Sequence, residues 1–292
     1  MNGIVIIDKP GGWTSHDVAA KLRGVLKEKR IGHGGTLDPM ATGVLPVFVG
    51  RATRAAQFCE NAQKRYTAAA RFGISTDTQD ITGSVISERP VNFTHEEMLR
   101  NMERFRGVIM QTPPMYSAVK VGGRKLYELA RRGEIVERKA RKITIFAFNY
   151  MGTDENGDCI FDIACSKGTY IRTLISDLGD SLGCGAALTA LRRTQAGAFT
   201  ENDAVSLDFV EKCVKDGDFS AFLRETDSLF SDCPETAVSD KRALKAVYNG
   251  GEYKTALENG LYRVYDMSGK FLMLGRCENG VMKTVKSFFE VM

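Results

Sequence analysis

Asp38 is the residue of this 292-residue chain whose type and setting most favour catalytic chemistry. It stands in the glycine-rich segment 32–39, GHGGTLDP. An Asp before a Pro is most often a turn residue, and the dipeptide alone would predict no more than that. The glycines, however, would let a ligand approach the backbone closely, and catalytic groups concentrate on loops held by a scaffold. Asp38 is therefore a candidate for a carboxylate that acts as a nucleophile or as a base.

Arg172 and Tyr66 are the other residues whose types would suit such a site. Arg172 stands just inside a predicted helix start, where a cation meets the unfavourable end of the helix dipole. It could form a surface ion pair, or it could pair with Asp38 and keep that carboxylate ionised and oriented. Tyr66 follows Lys64 and Arg65 at a predicted strand start. An aromatic there is usually part of the core, but beside two cations it would also suit base stacking next to a phosphate-binding edge.

The composition argues against several classes of site and protein. Seven scattered cysteines without a Cys-x-x-Cys pair and three dispersed histidines indicate neither a disulfide framework nor a metal centre. The sequence also has no nucleotide-binding glycine motif. The apolar stretches fall far short of the roughly 20 residues that span a bilayer, and the first residues lack the features of a signal peptide. We therefore expect a cytoplasmic globular protein that has no membrane partner.

The charge is unevenly distributed along the chain, although the net charge of +4 is modest. Residues 120–142 hold nine basic and three acidic side chains, whereas residues 200–234 hold three basic and nine acidic ones. A charge run usually marks a solvated face. A dense positive stretch also favours a polyanionic partner such as nucleic acid.

The pattern of apolar residues and turn formers predicts the elements that must hold these candidates. We predict strands over 4–7, 44–49, 66–72, 143–150, 159–165 and 187–194, and helices over 52–61 and 169–182. Ser15 is predicted to cap a helix, and Thr94 with Glu97 to form a capping box at the start of another. The segment 32–39 is predicted to be a loop, and residues 76–80 are predicted to form a polar turn.

Two further segments complete the organisation. Paired prolines exclude a helix over 111–114, so residues 111–120 form either a rigid loop or a loop that contacts nucleic acid. A hairpin over 261–266 and 271–275 and a strand near 281–289 predict a small β-rich domain. We therefore divide the chain into a larger domain over 1–234 and a small domain over 235–292.

Six segments, taken in order, resemble the TruB family of tRNA pseudouridine-55 synthases. They are residues 8–15 (DKPGGWTS), 32–46 (GHGGTLDPMATGVLP), 64–66 (KRY), 111–118 (QTPPMYSA), 166–172 (SKGTYIR) and 191–194 (LRRT). One departure is Gly34, where many family members carry Thr, and we expect it to affect loop stiffness more than chemistry. The C-terminal segment resembles the family's PUA-like domain more weakly.

The resemblance implies an α+β fold with a central mixed or antiparallel sheet flanked by helices, followed by a small β-rich PUA-like RNA-binding domain. It implies that Asp38 is the catalytic carboxylate, that Arg172 is its ion-pair partner and that Tyr66 stacks on the target base. It implies that Leu191 forms a wall of the pocket and that Tyr170 and Lys9 shape or support that pocket. It implies that Lys64 binds the substrate. It also implies that His33 stacks on the opened RNA loop or inserts into it.

The implied reaction isomerises uridine 55 in the tRNA T-loop, after the base has been flipped out of its stack. The basic segment 120–142 would grip the phosphates of the T stem-loop, and we expect a monomer. The N1–C1′ bond breaks and C5 joins C1′, without redox change or external energy, so the resemblance implies neither a metal nor a small-molecule cofactor. Asp38 could attack C1′, as in retaining glycosidases, or remove the C2′ proton and pass through a glycal.

Three other functions stay open at this point. The chain could be a synthase that acts on another RNA, or on several. It could be an RNA-binding or tRNA-chaperoning module whose chemistry is incidental or lost, although the presence of Asp38, Tyr66 and Arg172 argues against loss. A glycosidase with two carboxylates would need a second acid, and the matched segments offer no convincing one.

Overall fold

The computed structural model describes residues 1–289. Its first fourteen strands are β1 (Gly3–Lys9), β2 (Ile31–His33), β3 (Thr42–Val49), β4 (Lys64–Phe72), β5 (Ile74–Thr76), β6 (Val85–Glu88), β7 (Gly107–Gln111), β8 (Lys120–Val121), β9 (Arg124–Lys125), β10 (Arg141–Thr153), β11 (Cys159–Cys165), β12 (Ala186–Ala196), β13 (Phe199–Thr200) and β14 (Leu223–Arg224). The helices among them are α1 (Ser15–Leu26), α2 (Ala56–Asn61), α3 (His95–Glu103), α4 (Leu126–Ala130), α5 (Ile171–Ser181) and α6 (Leu207–Asp216). Short 3-10 helices lie at Gly50–Ala55, Glu201–Asp203 and Thr226–Phe230.

A ten-stranded sheet forms the centre of the molecule. Its strand order is β14-β1-β3-β12-β4-β11-β10-β7, and β2 and β13 attach to β3 and β12. All neighbours are antiparallel except β12 and β3, so the sheet is mixed. Helices α1 and α5 bury apolar faces in the same core as the strands. The expected α+β fold with a central mixed sheet and flanking helices is confirmed.

Helix α1 begins after Thr14, and the prediction that Ser15 caps it was wrong. The Thr14 hydroxyl accepts from the Asp17 amide at 3.0 Å, and the Asp17 carboxylate accepts from the Thr14 amide at 2.9 Å. Both Thr and Ser suit this position by themselves. Ser15 is instead buried, and its hydroxyl accepts from the Leu37 amide at 2.8 Å and donates to the Leu37 carbonyl at 3.3 Å. It thereby fixes the segment that carries Asp38.

The loop predicted over 32–39 begins later than expected, because residues 31–33 form β2. This short strand pairs with β3, with Gly32 opposite Phe48. On that side of β3, strand β12 pairs only with Thr42 and Gly43. The free edge of β3 therefore offers backbone partners to β2, which local sequence does not indicate. Likewise, the helix predicted over 52–61 is a 3-10 helix followed by α2.

Gly34 is closely packed against its neighbours. Lack of space for a side chain, rather than the loop stiffness that we expected, therefore explains the glycine. A Cβ at this position would lie 2.9 Å from Cys59 Sγ and 2.9 Å from Phe48 Cε2. We expect Gly34→Ala to lower the free energy of unfolding by about 1–3 kcal/mol, as overpacking does. Urea denaturation followed by circular dichroism measures the change.

Gly24 in α1 provides the matched control, because a Cβ there meets nothing within 4 Å. Gly24→Ala should raise the stability by about 0.5–1 kcal/mol, since Ala favours a helix interior over Gly. In a Cys59→Ala background, which lacks the sulfur atom, Gly34→Ala should cost less. An equal cost in both backgrounds would mean that the Cys59 sulfur does not limit packing at this position, because the Cys59 Cβ, also 2.9 Å away, is present in both.

A second sheet forms the C-terminal part, as the sequence predicts. Its elements are β15 (Glu235–Val238), α7 (Lys241–Tyr248), β16 (Tyr253–Lys254), β17 (Gly260–Asp266), β18 (Phe271–Glu278) and β19 (Val281–Ser287). The five strands have the order β15-β17-β18-β19-β16, and β17 and β18 form the predicted hairpin. This β-rich C-terminal domain is present, while the boundary at 234/235 stays a prediction. Residues 290–292 of the small domain predicted over 235–292 lie outside the described residues.

The two sheets share an apolar contact. Phe230, Leu274 and Phe288 belong to a buried cluster that also contains Ile4 and Phe48 from the central sheet. The larger core, which contains Val5, Ile7 and Leu45, lies on one face of the central sheet. The C-terminal sheet therefore packs on the other face. Among residues 1–289, no helix is long and apolar enough to cross a membrane.

Candidate active site

Asp38 and Arg172 form an ion pair where the 34–41 loop meets α5. Arg172 Nε donates to Asp38 Oδ2 at 2.8 Å. The Arg172 side chain is only 5% exposed, whereas that of Asp38 is 34% exposed. Oδ1 of Asp38 has no donor among the described residues. The carboxylate is therefore held by one oxygen, and the other is available to a ligand.

The rest of the Arg172 guanidinium is fixed by groups from two other segments. It donates to the Thr78 carbonyl at 2.7 Å and to the Tyr116 carbonyl at 2.9 Å. Nη1 also lies 3.4 Å from Asp80 Oδ2, and the Asp80 side chain is only 7% exposed. A planar cation with its donors directed at fixed acceptors has little freedom to turn. Arg172 thus sets the orientation of Asp38.

Asp80 is predicted from the sequence only as part of a polar turn, and its link to Arg172 was missed. The carboxylate of Asp80 accepts from the Thr78 hydroxyl at 2.9 Å and from the Thr82 amide at 3.0 Å. These bonds form the turn that the local sequence predicts. The same carboxylate then faces Arg172, which is distant in the chain. No local signal indicates that second contact.

A cavity of about 260 Å³ opens beside this ion pair. Asp38, Tyr66, Leu191, Tyr170 and Lys64 all line it. The structure therefore brings together five of the eight residues that the resemblance assigned to the site.

Tyr66 and Leu191 lie on neighbouring strands at the buried wall of the cavity. They stand on β4 and β12, whose register places Tyr66 opposite Arg193 and Leu191 opposite Ala68. Burial raises the pKa of Tyr66 to about 12, so its hydroxyl is neutral at physiological pH. A neutral ring beside an aliphatic side chain makes an apolar wall on which a base can stack.

Tyr170 is the residue before α5, and its backbone is tied to Gln111. The Gln111 side chain accepts from the Tyr170 amide at 2.8 Å and donates to its carbonyl at 3.0 Å. These bonds satisfy backbone groups at the start of α5, where helices leave amides unpaired. They also fix the position of Arg172, two residues further on.

Lys64 and Lys9 are buried, and each ammonium group is held by main-chain carbonyls. Lys64 donates to the carbonyls of Ala62, at 2.8 Å, and of Cys59 and Glu60 near the end of α2. Lys9 donates to the carbonyls of Pro10, Trp13 and Pro39. Lys9 is absent from the cavity wall, but its bond to Pro39 supports the residue next to Asp38.

The positions of His33 and Arg193 relative to the cavity differ most from the sequence-based expectation. His33 lies on β2 outside the cavity lining, with Nδ1 buried and unpaired among the described residues, and burial lowers its pKa. Its role in the RNA loop stays a prediction. Arg193 belongs to a matching segment in which the sequence gave it no role, yet it is buried and lines the cavity with Asp38 and Tyr66.

A second, larger cavity of about 490 Å³ lies at the seam between the two sheets. Its walls include Phe58, Phe230, Leu261 and Arg276. It contains neither the Asp38–Arg172 pair nor another paired carboxylate and cation among the described residues, so we place the chemistry in the smaller cavity. In residues 1–289 no group of three or more potential ligands is arranged to hold a metal ion.

Family models match two consecutive stretches of the chain. Residues 23–171 match the N-terminal domain model of the TruB family pseudouridylate synthases, and residues 172–231 match the tRNA pseudouridylate synthase B C-terminal domain. The chain belongs to the TruB family. The junction of the two models falls within α5, next to Arg172, so it does not coincide with a boundary between the two sheets.

Individual TruB relatives and solved structures agree with this assignment. A protein of Clostridium kluyveri, named tRNA pseudouridine synthase B, is 41% identical over 99% of this chain and 100% of its own length. A Lactococcus lactis protein of the same name is 46% identical over 80% of this chain and 74% of its own length. A chain from the crystal structure of a Cbf5-Nop10-Gar1 complex is 26% identical, with a TM-score of 0.74 over 99% of this chain and 85% of that one.

Proposed function

We propose that this TruB-family enzyme isomerises uridine 55 in the T-loop of tRNA to pseudouridine, with Asp38 as its catalytic carboxylate. The relatives named tRNA pseudouridine synthase B support the reaction and the class of RNA. The observation that carries the assignment to Asp38 is its ion pair with Arg172 at the edge of a cavity walled by Tyr66 and Leu191. The enzyme acts as a monomer in the cytoplasm.

The geometry suits the first step of either route. In the nucleophilic route, Oδ1 of Asp38 attacks C1′, and the N1–C1′ bond breaks with its electron pair on the uracil. The freed base then turns, C5 attacks C1′, and Asp38 leaves. The C5 proton is lost and N1 gains a proton, so atoms balance. In the glycal route, Asp38 removes the C2′ proton and the base departs with the same pair of electrons.

The cavity supports a substrate that has been flipped out of its RNA stack. Its volume of about 260 Å³ lies just below the range of roughly 300–1,000 Å³ that is typical of pockets for drug-sized ligands. A single nucleoside is the part of an RNA that such a space accommodates, and a base within a stacked T-loop has to leave the stack to reach it. Tyr66 would stack on the base, and Leu191 would extend the same apolar wall beside it.

The basic segment 120–142 supports binding of the T stem-loop phosphates. Arg131, Arg132, Lys139 and Arg141 are all exposed on this segment. None of the four forms a salt bridge with a carboxylate among the described residues. We also assign the domain over 235–292 to RNA binding, as a PUA-like module.

Neutralising these four cations should weaken tRNA binding and flatten its salt dependence. The slope of log K against log salt should fall by about 0.7–0.9 for every phosphate that the protein no longer neutralises. Filter binding of a T-arm hairpin at several salt concentrations measures the slope for a variant with all four residues changed to Gln.

Four exposed lysines elsewhere provide the matched control. Lys27, Lys29, Lys212 and Lys215 are exposed, and changing them to Gln removes the same charge. If the slope falls equally in both variants, net charge rather than segment 120–142 governs binding. An unchanged slope in the first variant would mean that the segment only solvates a face of the protein.

Incubation with a T-arm stem-loop transcript tests the proposed function. Turnover on this minimal hairpin, at the position of uridine 55, is the expected result. Binding without turnover would instead support a tRNA-chaperoning module. Pseudouridine positions are also compared in total tRNA with and without this protein. Modification of a different uridine would contradict uridine 55 as the substrate position.

A further inference from the structure

Three buried cations lie at the candidate active site without carboxylate partners: Lys64 and Arg193 line the cavity, and Lys9 is bonded to the Pro39 carbonyl next to Asp38. Lys9 is 0%, Arg193 1% and Lys64 6% exposed. None of them lies within 4.0 Å of a carboxylate oxygen in the part of the chain that the structure describes. Their donors meet main-chain carbonyl oxygens instead. Buried cations are normally paired with an anion, because desolvation of an unpaired charge is costly.

Arg193 is the member of this set that stands closest to Tyr66 in the sheet. It lies on β12 opposite Tyr66 on β4 and lines the same cavity as Asp38. Nε donates to the Val44 carbonyl at 2.7 Å, and Nη2 donates to the Gly35 carbonyl at 3.2 Å. These bonds attach the guanidinium to the Asp38 loop and to β3, so its position is fixed before substrate enters.

The backbone of Arg193 lies close against β3. A Cβ at Gly43 would lie 2.3 Å from the Arg193 carbonyl oxygen, so β3 and β12 approach closely at this point. Gly43 also has a φ of +98°, which a larger residue rarely adopts. The backbone of Arg193 is thus held against β3, and the side chain extends along the wall of the cavity.

The charge of Arg193 acts on groups around the whole cavity. Burial lowers the pKa of Lys9 to about 8, although the charge of Asp38 opposes this shift, and burial also lowers the pKa of Lys64; the nearby Arg193 adds to the lowering of both. Burial raises the pKa of Tyr66, while the charge of Arg193 and hydrogen bonding to it work in the opposite direction. An anion that lies beside Arg193, on the cavity wall, would therefore be attracted by its charge.

Such an anion forms during the reaction itself. When the N1–C1′ bond breaks, its electron pair stays on the uracil and is shared by N1, O2 and O4. This holds whether Asp38 attacks C1′ or removes the C2′ proton. A fixed cation in a site that excludes water stabilises developing charge much more strongly than it would in bulk solvent.

We propose that Arg193, supported by Lys64 and Lys9, stabilises the negative charge that develops on the uracil as the glycosidic bond breaks. This inference rests on the proposed function. The missing anionic partner of these buried cations is then the uracil itself. Its negative charge is present only in the transition state and in the intermediate that follows. Binding energy that appears only there raises kcat and leaves KM nearly unchanged.

The test compares Arg193→Met with Arg193→Lys on two T-arm hairpins. One carries uridine at the target position, and the other carries 5-fluorouridine, whose fluorine stabilises negative charge on the ring. The readout is the single-turnover rate at which the target nucleoside disappears, measured by chromatography. On uridine, we expect Arg193→Met to slow this step by about 10–100-fold, as removal of one stabilising donor does, and Arg193→Lys to recover part of the loss.

The decisive quantity is the ratio of wild-type to variant rates on the two hairpins. For Arg193→Met, the ratio should be several-fold smaller on 5-fluorouridine, because a more stable anion needs less help from the protein. Arg192→Met is the matched control, since Arg192 pairs with Asp8 and Glu201 and is 38% exposed. Its ratio should be the same on both hairpins.

Equal ratios on the two hairpins for Arg193→Met, or a change in KM alone, would overturn the inference. Hairpin binding and circular dichroism establish that the variant is folded. If Arg193→Met does not fold, Arg193→Lys is compared in the same way, and equal ratios for it would again contradict the proposal. Failure of the wild-type enzyme to convert uridine would refute the proposed function instead, so the two outcomes are distinct.

Discussion

Asp38→Asn should abolish pseudouridine formation, with a loss of about 10⁴-fold or more in the single-turnover rate. An amide is too weak as a nucleophile for attack on C1′ and too weak as a base for removal of the C2′ proton, so both routes fail. The side-chain oxygen of Asn can still accept the bond that Arg172 Nε makes to Asp38, at 2.8 Å in the wild type. The site should therefore keep its shape, and hairpin binding should stay within a few-fold of wild type.

Tritium release from a hairpin labelled at C5 measures turnover, and filter binding measures affinity. Glu155→Gln is the control for loss of one carboxylate, because Glu155 is exposed in the turn between β10 and β11. It should behave as wild type in both assays. Residual turnover of Asp38→Asn within about 100-fold of wild type, which removal of a nucleophile or base does not permit, would contradict the catalytic assignment.

Arg172→Met should lower both activity and stability. We expect a loss of at least about 10²-fold in turnover, since Asp38 would lose the donor that orients it. The free energy of unfolding should fall by about 3–5 kcal/mol, because removal of one partner leaves a buried charge uncompensated. That charge is mainly Asp80, whose side chain is 7% exposed, whereas Asp38 at 34% retains much of its hydration.

A double variant separates the two effects. Combining Arg172→Met with Asp80→Asn removes the stranded carboxylate, so it should recover part of the stability that Arg172→Met loses. It should not recover turnover, because Asp38 still lacks its donor. Urea denaturation and the tritium assay measure the two quantities. If the second substitution restores no stability, burial of Asp80 is not the source of the loss.

The family resemblance carried by the ordered short motifs was enough to select residues that lie together in the structure. Asp38, Tyr66, Tyr170, Leu191 and Lys64 were expected together, and all five line one cavity. The expected pairing of Arg172 with Asp38 is present as a direct ion pair. These residues could be found because each stands in a local segment of distinctive sequence.

Thr14, Asp80 and Arg193 show where such prediction ends. Thr14 and Ser15 are both good N-cap residues by type, and only the use of the Ser15 hydroxyl by Leu37 decides between them. Asp80 has a complete local explanation as a turn residue, and its contact with Arg172 depends on how distant segments pack. Each choice depends on a partner that lies far away in the chain.

The sequence by itself was enough to indicate the family, most of the strands and helices, and Asp38 as the candidate for the catalytic carboxylate. By its immediate neighbours alone, Asp38 would be a turn residue. The tertiary structure added that its Oδ2 is held by Arg172, that Oδ1 has no donor among the described residues, and that the buried cations Lys64 and Arg193 line the same cavity, with Lys9 bonded to the neighbouring Pro39. Sequence could not show this last feature, because burial and the resulting cost of an unpaired charge arise only when strands far apart in the chain close over a side chain.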